Sequence, residues 1–353
     1  MTEKQLMKGN EAIGEAAIRA GCRFFFGYPI TPQNELPAYM SRRLPEVDGT
    51  YLQAESELAA INMVYGAAGA GVRVMTSSSS PGISLKMEGI SYLAGAELPA
   101  VIVNIMRGGP GLGGIQPAQS DYFQATRGGG HGDYRLLVLA PSSIQEAVDL
   151  TGEAFYLADK YRNPVLILGD GILGQMMEPV VFPEFDFPSL PAKDWATDGA
   201  SGREKNIINS LYLDPGKLEQ HNQHLQGKYQ QMSREELRYQ QEGSEEPEVL
   251  LVSYGTTARI CQSAIEELGS LGIEAALFRP ISLYPFPYLQ LREAVAGVSL
   301  VLVVEMSAGQ MLEDVRLAVE GRALVEFYGR MGGMVPFPGE IVERVRQLEV
   351  EEL

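Results

Sequence analysis

The chain has 353 residues, enough for two domains, and its 45% hydrophobic and 21% charged content is an ordinary globular balance. A net charge of −17 argues against a nucleic-acid partner, whose phosphates it would repel, and reads either as solubility or as a face for a basic partner. No run of about 18 apolar residues is present, and Met1–Asn10 carries both charge signs without an apolar stretch, so no membrane span and no secretory leader are expected and the chain is placed in the cytoplasm.

Helix and strand alternate through the first half. Ala12, Ile13, Ala16, Ala17 and Ala20 recur at helical spacing. Phe24–Gly27 is a short apolar run stopped by Tyr28-Pro29, a strand that reaches a loop. Tyr51–Gln53 is a second strand, and the small residues of Leu58–Gly71 suit a closely packed helix. The aliphatic runs 72–76, 100–105, 136–140 and 164–168 are further strands, and 143–160 is a helix with Ser143 as its N-cap. Strands separated by helices imply a mostly parallel sheet covered on both faces.

Composition then changes. Pro179–Pro191 is a proline-rich connection, and 215–246 is a polar helix with a thin apolar stripe of Leu218, Leu225, Met232 and Leu237, placed across a surface or a neighbouring subunit. A second α/β unit follows, with strands at 248–253, 273–278, 299–305 and 324–328 and helices at 257–269, 287–295, 312–319 and 338–348. The expected domains are therefore 1–185, a connection with a surface helix over 186–246, and 247–353.

In open α/β sheets ligands gather at the carboxyl ends of strands, and three first-half loops fall there. Tyr28-Pro29-Ile30-Thr31-Pro32 holds Thr31 between two prolines, either as a plain loop or as a preset hydroxyl. Glu55-Ser56-Glu57 stands at a strand-to-helix junction, where acids serve the helix dipole. Glu57 is followed by Leu-Ala-Ala-Ile, and a carboxyl group turned into such an interior can hold or share a proton. Arg107 ends a strand and opens a glycine-rich stretch, 108–114, that continues to Gly129-Gly130-His131-Gly132-Asp133. Glycines admit close backbone approach, but no helix with Lys-Ser/Thr follows to make a phosphate cradle.

Two features are set aside. Gly169-Asp170-Gly171 imitates the metal–diphosphate motif of thiamine enzymes, yet no asparagine occurs between Gly171 and Asn206 to complete a Mg²⁺ shell, so it is read as a plain turn. The hydroxyl run Thr76–Ser80 has no Ser-His-Asp logic beside it and is read as a helix cap or a support. Cys22 and Cys261, one in each half, have no metal-ligand spacing and are read as buried small hydrophobes; an iron–sulfur cluster wants about four thiolates.

With these residues the chain resembles the alpha subunit of 2-oxoacid:ferredoxin oxidoreductases, over nearly all its length. The pieces that carry the likeness are Tyr-Pro-Ile-Thr-Pro at 28–32, Glu55–Glu57, Arg-Gly-Gly-Pro at 107–110, Gly-Gly-His-Gly-Asp at 129–133, Tyr-Gly-Thr-Thr-Ala-Arg at 254–259 and Phe-Arg-Pro-Ile at 278–281. The resemblance implies a thiamine-diphosphate-binding-fold pyrimidine domain with a mostly parallel sheet, then a transketolase C-terminal-like α/β domain. It implies that Glu57 meets the aminopyrimidine ring, with Tyr28, Pro29 and Ser79 as further cofactor contacts. It implies that Thr31, Arg107 and Leu112 line the substrate end, with Arg107 on the 2-oxo acid carboxylate. The activity implied is oxidative decarboxylation of a 2-oxo acid to an acyl-CoA, with electrons leaving to ferredoxin.

This chain is expected to hold no metal itself. Mg²⁺ and 4Fe–4S clusters are expected on partners: a beta subunit with the diphosphate motif, a gamma subunit and a ferredoxin-like subunit. Ser79-Ser80-Pro81-Gly82 departs from the Ser-Gly-Pro-Gly of many members, and Gly111-Leu112-Gly113 replaces the Ser-Thr-Gly of 2-oxoglutarate-type members. The Gly-Leu-Gly-Gly-Ile-Gln version looks like the branched-chain (2-oxoisovalerate) members. Two other readings stay open here, a subunit of a non-redox thiamine-dependent decarboxylase and a non-catalytic interaction subunit.

Overall fold

Aliphatic runs this long are what a parallel sheet buried on both faces requires. The computed structural model describes residues 4–351, and in it Ala100–Met106 and Pro164–Asp170 are buried at every position, as the two longest strands of a seven-stranded sheet. The order across that sheet is Ser282–Tyr284, Leu137–Leu139, Pro164–Asp170, Ala100–Met106, Val74–Ser78, Phe24–Gly27, Thr50–Gln53. All neighbours are parallel except Ser282–Tyr284, which runs antiparallel to Leu137–Leu139. Helices Gly9–Arg19, Glu57–Gly69, Ser80–Gly95 and Ile144–Tyr161 accompany it. The last starts where expected, with Ser143 Oγ accepting from Glu146 N at 3.1 Å.

The second sheet has five strands in the order Leu324–Gly329, Leu300–Glu305, Val249–Val252, Ala275–Pro280, Tyr239–Gly243. Its first four are mutually parallel and the last is antiparallel. A small antiparallel ribbon joins Gln5–Lys8 to Met177–Val180.

Two strands depart from the sequence reading. Tyr239–Gly243 falls inside the expected 186–246 connection yet forms the edge of the second sheet; its Tyr-Gln-Gln-Glu-Gly composition is polar because an edge strand keeps one side in water. Ser282–Tyr284 comes from the second half and completes the first sheet, so the chain crosses back between the two layers. Three residues are too few to show a period.

The polar helix runs Pro215–Glu235, started by Asp214 Oδ1 accepting from Lys217 N at 3.0 Å. It buries Leu225, Tyr229 and Met232 while Leu218 stays exposed. It lies along the first layer of its own chain: His221 Nε2 meets Gly95 O at 2.7 Å and Lys228 Nζ donates to Glu97 Oε1 at 3.1 Å.

Buried polar groups lock the halves together. Gln119 Nε2 donates to Tyr254 O at 2.8 Å, and its Oε1 accepts from Thr257 Oγ1 at 2.8 Å and from Met306 N at 2.9 Å. Asp170 is not part of a plain turn. Its Oδ1 caps the Gly171–Gln175 helix, accepting from Ile172 N at 2.8 Å and Leu173 N at 3.2 Å, and Thr256 Oγ1 of the second half donates to its Oδ2. Burial pushes the Asp170 carboxyl up from its ordinary value.

Candidate active site at the carboxyl edge of the first sheet

Thr50–Gln53 delivers the chain to Glu55-Ser56-Glu57. Ser56 is the N-cap of the Glu57–Gly69 helix, with Oγ accepting from Ala59 N at 3.1 Å. That cap sets the first turn, and it puts the two acids in different surroundings. Glu55 is exposed, whereas Glu57 retains 6% exposure.

The Glu57 carboxylate lies against the helix Ser80–Gly95, at Gly82. A side-chain carbon on Gly82 would sit 2.6 Å from Glu57 Oε1 and would also collide with Ser78 Oγ. One on Gly89 would sit 2.5 Å from Ile61. The two helices approach this closely because glycine offers no side chain there. Lys86 occupies the position between these glycines on the same helical face, at i+4 from Gly82. It is fully buried, and its Nζ donates to Thr76 Oγ1 at 2.7 Å.

The hydroxyls of Ser78 and Ser79 are buried and have no partner among the described residues. Ser79 stands at the N-cap position of Ser80–Gly95 but its side chain caps nothing, contrary to the capping reading of this run. Such groups are costly to bury unsatisfied, so a polar ligand beside Glu57 would find the Ser78 hydroxyl without a competing bond. These features fit an aminopyrimidine, whose ring nitrogens and amine need a carboxyl group and hydrogen-bonding neighbours.

Ser80 couples this region to Arg107. Its Oγ accepts from Arg107 N at 3.0 Å and donates to Asp121 Oδ2 at 2.7 Å, and Asn104 Nδ2 donates to the same oxygen at 2.8 Å. Burial raises the Asp121 carboxyl from its ordinary value.

The guanidinium of Arg107 is buried, with Nη1 donating to Thr31 O at 3.0 Å and Nη2 to Leu112 O at 3.1 Å. Two of its five N–H donors are thus engaged by backbone carbonyls, while Nε is buried without a partner. The contacts fix the fork before any anion arrives. Arg107 lines a cavity of about 630 Å³ between the two halves, with Ser80, Asp121, Ser307, Gln310 and Met331 on its walls. A second cavity of about 600 Å³ is lined by Thr31, Glu35, Ile115, Gln116 and Gln175.

The structure thus brings Arg107 and Thr31 together, and places Glu57 with Ser78 and Gly82. Ser78, Ser79 and Ser80 form the short link between the two groups. Tyr28 and Pro29 are exposed at the head of the Thr31 loop. Leu112 offers its carbonyl to Arg107, but the residue is 83% exposed and is not among those that line the Arg107 cavity. His131 of the glycine-rich segment sits outside both cavities, its carbonyl accepting from Ser91 Oγ at 2.6 Å. Asp121 and Lys86 were absent from the sequence reading. Asp121 carries no local signal. Lys86 carries a faint one, a lone cation on an otherwise apolar helical face.

Both cysteines are buried, and burial pushes each thiol up to about 12. Among the described residues no helix is long and apolar enough to cross a membrane.

Comparison with known proteins assigns the chain to the thiamine-diphosphate-binding subunits of the 2-oxoacid oxidoreductase type. The chain belongs to the family described as pyruvate flavodoxin/ferredoxin oxidoreductase, thiamine-diphosphate-binding, whose model matches residues 15–242; that of pyruvate:ferredoxin oxidoreductase core domain II matches 247–341. It is 52% identical to the ketoisovalerate oxidoreductase subunit VorB of Methanothermobacter thermautotrophicus, over 98% of this chain and 97% of that one. Identity falls to 37% with the 2-oxoglutarate synthase subunit KorA of the same organism, over 99% and 100%. Among solved structures, the 2-oxoglutarate:ferredoxin oxidoreductase from Magnetococcus marinus with 2-oxoglutarate, coenzyme A and succinyl-CoA bound superposes with a TM-score of 0.87 at 28% identity. That match covers 98% of this chain and 65% of the other, so the chain spans about two thirds of its length.

Proposed function

We propose that the chain is the subunit of a thiamine-diphosphate-dependent 2-oxoacid:ferredoxin oxidoreductase that presents Glu57 to the aminopyrimidine ring and Arg107 to the substrate carboxylate. The observation that carries this reading is a carboxyl group buried at a helix start, against Gly82 where the partnerless Ser78 hydroxyl also lies, at the sheet edge where ligands gather. What thiamine diphosphate supplies when bound is an electron sink for decarboxylation of a 2-oxo acid. Glu57 holds a proton at the pyrimidine ring nitrogen and shares it. Tyr28, Pro29 and Ser79 border the ring. Arg107 binds the carboxylate with the donors its backbone contacts leave free, and the Thr31 hydroxyl, which accepts from Asn34 Nδ2 at 3.3 Å, donates to the 2-oxo oxygen.

The substrate is a branched-chain 2-oxo acid such as 2-oxoisovalerate, and the product its acyl-CoA, with electrons passing to ferredoxin. Arg107 is the single cation among the residues that line its cavity. A second, distal carboxylate would lose its water there with no further cation among the described lining residues to meet it, at a cost of several kcal/mol. The higher identity to a ketoisovalerate subunit than to a 2-oxoglutarate subunit favours the same choice. Partner subunits carry the Mg²⁺–diphosphate half of the cofactor site and the iron–sulfur clusters: a beta subunit, a gamma subunit and a ferredoxin-like subunit, all cytoplasmic.

Isolating the native complex through this chain and supplying 2-oxoisovalerate, pyruvate and 2-oxoglutarate in competition tests the reading. Cysteine-rich partners, CoA-dependent viologen reduction and the highest kcat/KM for 2-oxoisovalerate are expected. Turnover by this chain alone would refute the shared site, and a preference for 2-oxoglutarate would refute the substrate.

A further inference from the structure

A lysine at zero exposure is rare, because an ammonium loses its hydration there and gives up its proton unless something compensates. Lys86 is such a residue. On the face of Ser80–Gly95 that meets Glu57–Gly69 it lies between Gly82, which touches the Glu57 carboxylate, and Gly89, which touches Ile61. The strand beneath offers the Thr76 hydroxyl, which donates to Phe26 O at 2.6 Å and so turns a lone pair to Lys86 Nζ. Glu57 is the buried acid of the facing helix, and the nearest acid on the lysine's own helix, Glu88, is exposed and bonded to Tyr92. Among the described residues no ion pair engages Lys86 with any carboxylate, Glu57 included. A fully apolar residue would fill this slot at lower cost.

We propose that Lys86 is a positioning residue that acts through Glu57: its ammonium stabilises the carboxylate left when the shared proton moves from Glu57 to the pyrimidine nitrogen, and so biases that proton toward the ring. The inference rests on the reading of Glu57 given above. No bond other than that to the proton changes, and no further reactant is needed. A cation paired directly with Glu57 would occupy the carboxylate, whereas Lys86, bonded to Thr76 Oγ1, leaves it free to exchange a proton with the ring.

Burial pushes the Lys86 ammonium down to about 7, against an ordinary value of 10.5. The unfolded lysine keeps its proton up to the higher value and the folded one only to the lower. Between them the unfolded state holds more protons, so stability rises with pH across that window. Lys86→Met removes this dependence. The full chain carrying it should therefore be more stable than wild type at pH 6, with the difference shrinking toward pH 10, by thermal denaturation without cofactor.

In the assembled complex, hydrogen–deuterium exchange at C2 of bound thiamine diphosphate reads the proton bias directly. Lys86→Met is expected to bind the cofactor as wild type does and to slow exchange about tenfold to a hundredfold, the range of a cation–carboxylate interaction in a partly screened interior. Thr76→Val, which deprives the ammonium of its acceptor, should slow exchange in the same direction by less, and it serves if Lys86→Met fails to assemble. Wild-type exchange in these variants, with Glu57→Gln still slow, would overturn the role of Lys86 and leave that of Glu57 intact. Wild-type exchange in Glu57→Gln would overturn both. A Lys86→Met chain whose stability tracks wild type at every pH would show that no buried cation is there to act.

Discussion

The two ends of the site are built on opposite plans. Around Glu57, two helices are pressed together through glycines, and the polar groups enclosed there are few. Around Arg107, a loop of glycines stands open to the cavity between the halves, and the guanidinium is held by backbone carbonyls rather than by side chains. A group that must share a proton gains from a closed, weakly screening interior. A group that must admit and release an anion gains from a preset fork on an accessible wall. The difference predicts that errors of one atom matter near Glu57, whereas the Arg107 loop tolerates side-chain changes that leave its backbone in place.

The largest effect is expected at Glu57. Glu57→Gln keeps the shape but removes the exchangeable proton, and cofactor C2 exchange and turnover should fall by about 10²–10⁴, the usual contribution of a positioned acid or base. Exchange at the wild-type rate would pass the role to another residue, with Glu55 the nearest acid in sequence though exposed. Next comes Gly82→Ala, a single added methyl that meets both Ser78 Oγ and Glu57 Oε1. Overpacking of this kind costs about 1–3 kcal/mol, so a lowered denaturation midpoint together with weaker thiamine diphosphate binding by calorimetry is expected. An unchanged midpoint would mean that the helices separate easily here, against the closed plan.

On the open side the effects are smaller. Arg107→Lys keeps the charge but loses the bonds to Thr31 O and Leu112 O and the planar fork. Loss of a charge-assisted bond worth about 1.5–3 kcal/mol should lower kcat/KM for the 2-oxo acid about tenfold or more, with cofactor affinity little changed. An unchanged KM would place Arg107 away from the substrate carboxylate. Leu112→Ala is the smallest. Its side chain is 83% exposed and only its carbonyl engages Arg107, so stability of this chain should move by less than about 0.5 kcal/mol in thermal denaturation. A larger loss of kcat/KM in the complex than of stability in the chain would show that a partner subunit folds Leu112 into the substrate end.

Local patterns carried most of the architecture. Runs such as Ala100–Met106 and Pro164–Asp170 are aliphatic because both faces are covered, and that composition is readable residue by residue. Glu57 was legible for the same reason: an acid followed at once by Leu-Ala-Ala-Ile must either face water or be buried, and its neighbour Ser56 announces the helix start. The short strands were not legible. Ser282–Tyr284 has three residues and Tyr239–Gly243 is polar throughout, and each is a strand only because a partner edge is there to receive it.

What the sequence determined by itself was the class of fold, the order of its elements and the loops that reach the sheet's carboxyl edge, since these depend on periodicity and on residues adjacent in the chain. Tertiary structure alone decided that Ser80 joins Arg107 to Asp121, that Asp170 meets Thr256, and that Lys86 is buried on the face that meets the Glu57 helix. Each of these joins residues far apart in sequence, or turns on which face of a helix another element happens to cover. Burial and charge are properties of the assembled surroundings, and no local window contains them.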